Sequence, residues 1–295
     1  MKKNVLGLYL SAKTAQALIL ERDEAHRTLL AVHEWDNTLF NYAGDDTPGV
    51  DEFTEQLSKF LGTVSIHLTT VTLDTSLLFI NTLPVAKGAT SEQIKDHVEW
   101  ELSEYFPDSP QNTFISDIHT ITKQANARCD EALLVAVRRD IIQKIRRSLD
   151  RVRLTLDIVD AEHFSADTTL ILNYPDSAAK YIALVGIKDD RMDISLVRYN
   201  DLEAYYYYPV HSEDDIVERL ATLSSSVSGL HAICVFGLGL TQEMIAHLRN
   251  STTVPLEPLN PFRKVEIAHA VRVVHDPAAK PFRYSAIVGV ALREE

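Results

Sequence analysis

One local pattern occurs twice in this chain. Residues 4–10, 15–21 and 27–35 read as three strands joined by short polar turns, followed by a helix over 50–61 with Phe53, Leu57, Phe60 and Leu61 on one side. Residues 180–187, 191–199 and 201–208 repeat the three strands, and a helix over 212–226 follows. A second strand and helix, 231–236 and 241–250, extend the later copy. The repetition predicts two α/β halves.

Two further β-rich runs close the first half, and a segment with its own signals follows. Residues 65–71 and 76–82 are rich in β-formers, and the second leads into Leu83-Pro84. Thr90 and Gln93 form a T-x-x-Q capping pattern, and Ile94, Val98, Leu102 and Tyr105 lie on one stripe of a helix that Phe106-Pro107 stops. Trp100 lies off that stripe, which leaves two readings: packing on a neighbouring element or an exposed contact residue. Strands over 113–120 and 132–137, a helix over 140–149 and a strand over 153–159 follow, and the segment from about 84 to 154 reads as a compact α/β insertion. A helix over 161–172 then leads to the second half.

The 295 residues suffice for one large or two ordinary domains, and 45% hydrophobic with 24% charged residues suits a globular chain. No apolar run approaches the roughly 20 residues that cross a bilayer, and the opening turns polar too soon for a secretory signal. These features point to a cytoplasmic protein, held at a membrane only through partners. A net charge of −13 argues against nucleic acid as a partner. Arg138, Arg139, Lys144, Arg146, Arg147, Arg151 and Arg153 form one basic cluster, read either as a solvated helix face or as a contact for an acidic partner or lipid headgroups. Cys129 and Cys234 lack metal spacing and read as buried or incidental thiols.

The LP dipeptide, polar spacer and helix ending W-E-x-x-x-Y-x-P resemble the inserted subdomain of the type IV pilus assembly protein PilM family, which is related to FtsA and to the cytoplasmic part of GspL. The segments 132–149, 156–172, 255–262 and 282–294 follow in the family's order. The resemblance implies an α/β, actin-like fold, two duplicated ribonuclease-H-like halves with an inserted α/β subdomain. The expected divisions are 1–83 with 155–175, 84–154, and 176–295. It also implies a scaffold of a pilus or type II secretion-like machine. Such a scaffold would bind the cytoplasmic peptide of a PilN-like single-span membrane protein and relay to a motor ATPase. Trp100, Tyr105, Phe106 and Pro107, with Phe79 and Ile80, are the expected lining of its peptide groove.

An actin-like ATPase holds Mg·ATP on two glycine-bearing loops, one per half. Where the family resembles G-I-D-I-G-S, this chain has Gly7-Leu8-Tyr9-Leu10-Ser11-Ala12, and where it resembles V-D-I-G, Val185-Gly186-Ile187-Lys188. Both aspartates are missing. Ser11, Lys13, Gly186, Asp189, Asp190, Gly237 and Gly239 are the expected remnants, the last two in a G-x-G between a strand and a helix opened by Thr241. With 10 glycines, about half the usual share near 7%, nucleotide binding is expected to be weak or lost and no cofactor is expected. The alternative is a working Mg-ATPase using Asp189, Asp190 and the Gly237 loop.

No G-x-x-x-x-G-K-S/T, H-E-x-x-H or G-x-S-x-G occurs. Glu162 and His163 read as ordinary helix or surface residues, and Asp157 and Asp160 as structural. Tyr205 to Tyr208 are expected to place two rings on each face of a strand.

Overall fold

The computed structural model describes residues 2–24, 26–40, 47–110, 112–121, 128–274 and 276–293. In the first half, β1 (Lys3–Leu10), β2 (Thr14–Arg22) and β3 (Arg27–Asp36) form an antiparallel meander, followed by α1 (Thr47–Leu61) and β4 (Leu68–Leu73), which runs parallel to β1. β1 is apolar on both faces because it is central. Leu6, Leu8 and Leu10 meet Phe53 and Leu57 of α1, and Val5 and Tyr9 face the opposite layer.

A three-stranded antiparallel sheet follows, built from β5 (Leu78–Ala86), β6 (Phe114–Ile121) and β7 (Cys129–Arg138) in the order β5-β7-β6. α2 (Ser91–Tyr105) covers one face through Val98 and Leu102, and the expected Thr90–Gln93 capping box is present. The sheet begins at Leu78, inside the segment expected to close the first half. β5 runs through Pro84 because it is an edge strand, where a missing N–H need not break the ladder.

Amphipathic α3 (Arg139–Arg151) turns Ile142, Ile145 and Leu149 into the core around α1, so it is packed as part of the first half. The strand expected over 153–159 is reduced to β8 (Ile158–Ala161), since Arg153 adopts a left-handed φ of 60° that ends the helix in a tight turn. α4 (Glu162–Asn173) follows.

The second half comprises β9 (Tyr181–Ile187), β10 (Arg191–Arg198), β11 (Asp201–Pro209), α5 (Glu213–Ser226), β12 (Ala232–Phe236), α6 (Gln242–Ser251) and β13 (Leu256–Pro258). Its strand order, β11-β10-β9-β12-β13, matches β3-β2-β1-β4-β8 of the first sheet. The duplication expected from sequence is therefore present in topology. After β13 the chain leaves the second half, where all of 176–295 was expected. β14 (Glu266–Ile267) pairs with β3, α7 (His269–Val274) follows, and α8 (Ser285–Leu292) lies over the first sheet against α4. α8 is apolar all round and wholly buried, as its sequence SAIVGVAL requires. Its Gly289 lets the helix lie directly on the Ser165 carbonyl of α4.

Candidate functional site

The two sheets meet along a cleft, and a charged cluster fills it. Lys188, in the β9–β10 turn, places its Nζ 2.9 Å from Asp74 Oδ1, 2.7 Å from Glu162 Oε2 and 3.5 Å from Asp193 Oδ2, and it donates a hydrogen bond to Thr75 Oγ1. Thr75 Oγ1 donates in turn to Asp193 Oδ2 at 2.6 Å. Tyr9 donates to Asp74 Oδ2 at 2.7 Å, while Tyr205 and Arg191 donate to Asp193 Oδ1 at 2.5 and 2.8 Å. Asp74 also caps a short helical turn by accepting from Ser76 N.

Charge counting explains how these groups titrate. Two cations, Lys188 and Arg191, balance two carboxylates, Asp74 and Asp193. Burial opposes ionisation of both aspartates, but the Lys188 ammonium and their hydrogen bonds outweigh it and hold both below the usual range. Burial also opposes the Lys188 charge and is outweighed by Glu162, Asp74 and Asp193, which raise its pKa. Glu162 is the surplus acid. Burial pushes it up to about 7 against the pull of Lys188. Burial lowers His163 to about 4, leaving it neutral beside Ser195 Oγ at 2.7 Å.

Lys188 thus places a cation of the protein's own among the cleft carboxylates. Among the described residues, no group of His, Cys, Asp or Glu is arranged to hold a metal ion.

The expected nucleotide remnants are scattered. Ser11 Oγ accepts from Thr14 N and Lys13 N, closing its own hairpin, and Lys13 is exposed. Asp189 and Asp190 are exposed at the hairpin tip and lie outside the cluster. Gly186 is buried, with Phe236 only 2.9 Å from where a Cβ would stand. At Gly237 (φ +124°) a Cβ would fall 2.2 Å from Ile187 O, and at Gly239 it would fall 2.7 Å from Lys188 C. Both glycines serve backbone contact with the β9–β10 hairpin.

Sequence reasoning gave Asp74, Thr75, Asp193 and Tyr205 no place in a site, and took Glu162 and His163 for ordinary helix or surface residues. Both are wholly buried. The signal was Asp193, an acid within the apolar run of β10, which could be buried only with partners. Of the tyrosine run, Tyr205 is buried at the cleft and Tyr208 packs on the second-half core, while Tyr206 and Tyr207 stay exposed.

A second feature lies beside the cleft. A groove of about 550 Å³ runs between the face of β6 and β7, the β8–α4 junction and the turn before β11. Leu133, Val135, Val137, Ile142 and Phe164 supply apolar lining. Consecutive residues Ile115, Ser116, Asp117, Ile118 and His119 of β6 also line it, so the strand presents its backbone edge, which in the order β5-β7-β6 pairs with no further strand among the described residues. Asp117, Asp160, Asp167 and Asp201 outnumber Arg146 and Arg293 around it. Burial raises Asp160, with Arg293 at 3.0 Å opposing, and pushes Asp167 up to about 6. Asp160 also accepts from Ser165, and Asp157 from Thr69 N, as structural residues do.

The residues expected to line a peptide groove do not converge here. Phe79 packs at a tilt against Tyr105 and edge-on against Phe106 on the α2 face of the small sheet. Trp100 and Tyr105 are 55% and 53% exposed on that side, and Pro107 follows the end of α2. Ile80 points to the opposite face, buried against Leu133 and Tyr205. The alternation of β5 separates Phe79 from Ile80.

The family model described as type IV pilus assembly protein PilM matches residues 35–206, well over half of the chain. The chain belongs to the PilM family. Its structure is similar to the solved PilM-PilN type IV pilus biogenesis complex, with a TM-score of 0.76 and 13% identity over 98% of each chain. A Bacteroides thetaiotaomicron protein of unknown function with an actin-like ATPase fold gives a TM-score of 0.56 and 13% identity, covering 88% of this chain and 91% of that one. The cytoplasmic domain of EpsL, an inner membrane component of the Vibrio cholerae type II secretion system, is a likeness too loose to argue from. Its TM-score is 0.46, with 13% identity and coverage of 95% and 97%. No curated protein matches in sequence. The PilM family and the actin-like fold thus stand as the sequence resemblance implied. No helix among the described residues is long and apolar enough to cross a membrane.

Proposed function

We propose that this PilM-family chain is a cytoplasmic scaffold of a type IV pilus or type II secretion-like machine, which captures the cytoplasmic peptide of a PilN-like inner-membrane partner. The open β6 edge along an apolar groove carries this reading. An extended peptide can add to such an edge through its backbone and seat alternate side chains on the lining. The four carboxylates around the groove favour a peptide that also carries basic side chains. This site lies across the small sheet from Trp100 and Tyr105.

The cleft of the scaffold is degenerate as a nucleotide site, a reading supported by the Lys188 cluster and by the backbone packing of Gly237 and Gly239. A motor ATPase is the further partner this role implies. Partner contact would hold the chain at the inner membrane.

Peptide capture is tested by fluorescence anisotropy with a labelled N-terminal cytoplasmic peptide of a PilN-like protein. Ile115→Arg and Asp117→Arg should weaken binding at least tenfold, and Trp100→Ala should leave it unchanged. The converse pattern would place the peptide on α2. The cleft is tested by thermal unfolding with excess Mg·ATP. A ligand at about 100 times its Kd would add roughly 2.7 kcal/mol, and no rise in midpoint is expected.

A further inference from the structure

We propose that Lys188 is a built-in cation that joins the two halves across the cleft and holds the chain in one closed arrangement without nucleotide. The proposal rests on reading the cleft as degenerate. Lys188 and Asp193 belong to the β9–β10 hairpin of the second sheet, Asp74 and Thr75 follow β4 of the first sheet, and Glu162 opens the helix between the halves. The contacts of Lys188 with Asp74 and Thr75, and that of Thr75 with Asp193, therefore cross from one half to the other.

The side chains of Lys188, Asp74, Glu162 and Asp193 are each less than one-tenth exposed. Separating the halves would leave an ammonium and its carboxylates without their partners, which is costly wherever water cannot fully replace them. The two ends of the cluster are also anchored, because Tyr9 holds Asp74 within the first half and Tyr205 holds Asp193 within the second. In an actin-like ATPase the two loops meet through Mg·ATP. Here the Lys188 ammonium makes the connection, with the Thr75–Asp193 hydrogen bond beside it.

The test is the distance between the halves, measured by pulsed electron paramagnetic resonance on spin labels at Glu52→Cys of α1 and Glu243→Cys of α6. Both sites are exposed, and Cys129→Ser removes the accessible native thiol. The labelled chain with Lys188 intact should give one narrow distance population, unchanged by excess Mg·ATP, and Lys188→Met should broaden it or add a second population. An unchanged narrow population in folded Lys188→Met overturns the clamp alone. A shift of the Lys188 chain on adding Mg·ATP overturns both the clamp and the degenerate-site reading. If Lys188→Met does not fold, the variant Lys188→Met with Asp74→Asn and Glu162→Gln removes the stranded charges, and the same two outcomes decide.

Discussion

Substituting Gly289 tests the joint that ties α8 to α4. An alanine Cβ there would lie 1.8 Å from Ser165 O, 2.7 Å from Ser165 C and 2.8 Å from Thr169 Oγ1. Carbon and oxygen need about 3.3 Å, so the two helices must part by roughly 1.5 Å. Neither can move freely, since every residue of α8 is buried between α4 and the first sheet. Overpacking of this kind costs about 1–3 kcal/mol, and a forced separation belongs at the upper end. The movement also strains the hydrogen bond from Thr169 Oγ1 to Ser285 O, 2.6 Å long, at a further cost of about 1 kcal/mol. Alanine recovers about 1 kcal/mol through helix propensity. The expected net loss is therefore about 3 kcal/mol, read from urea unfolding followed by circular dichroism, with a fall in Tm of roughly 6 to 10 °C. Gly62→Ala is the control, because no atom lies within 4 Å of its Cβ and only its φ of +53° opposes the change, at about 1 kcal/mol. A Gly289→Ala variant within 0.5 kcal/mol of the parent would refute the packing argument.

Two further expectations concern the cleft and α2. Glu162 has an ordinary value of 4.5 and a folded value of about 7, so the folded state binds more protons between them and stability falls as pH rises through that window. Glu162→Gln should remove about 2 kcal/mol of that fall, measured as unfolding free energy at pH 5 and pH 7.5; an unchanged pH slope would contradict the assignment. Asp74 and Asp193, both lowered, act in the opposite sense, and their contribution is lost as pH drops below the usual carboxylate range. Thr90→Ala should cost about 1 kcal/mol and speed amide exchange in the first turn of α2, and unaltered exchange would show that the capping box does not hold that turn.

Elements defined by neighbours in sequence were legible before the structure. The two strand meanders, the capping box at Thr90 and the amphipathic stripe of α3 each follow from spacing within a few residues. Features that depend on meeting at a distance were not. Tyr9, Asp74, Glu162, Lys188, Asp193 and Tyr205 converge only because β1, β4, β9 and β10 end at one cleft, and nothing local marks them as a group. The expected division began the insertion at Pro84, and only the strand order shows that residue within an edge strand of the small sheet. The loop glycines Gly237 and Gly239 have a backbone-contact role that no residue pattern distinguishes from a phosphate cradle.

The placement of α8 also bears on how the protein is made. β1 is made well before α8, and the helix that covers its Val5 and Tyr9 face is translated about 275 residues later, a wait of roughly 15 to 55 s at ~5–20 residues per second. Throughout that interval the first sheet shows one apolar face to its surroundings. The second half can assemble its core in the meantime except for Phe282, but the first stays sticky until α8 arrives. The nascent chain is therefore a natural client for a chaperone that shields apolar strands, and truncation before Ser285 should yield aggregate in place of a smaller folded protein.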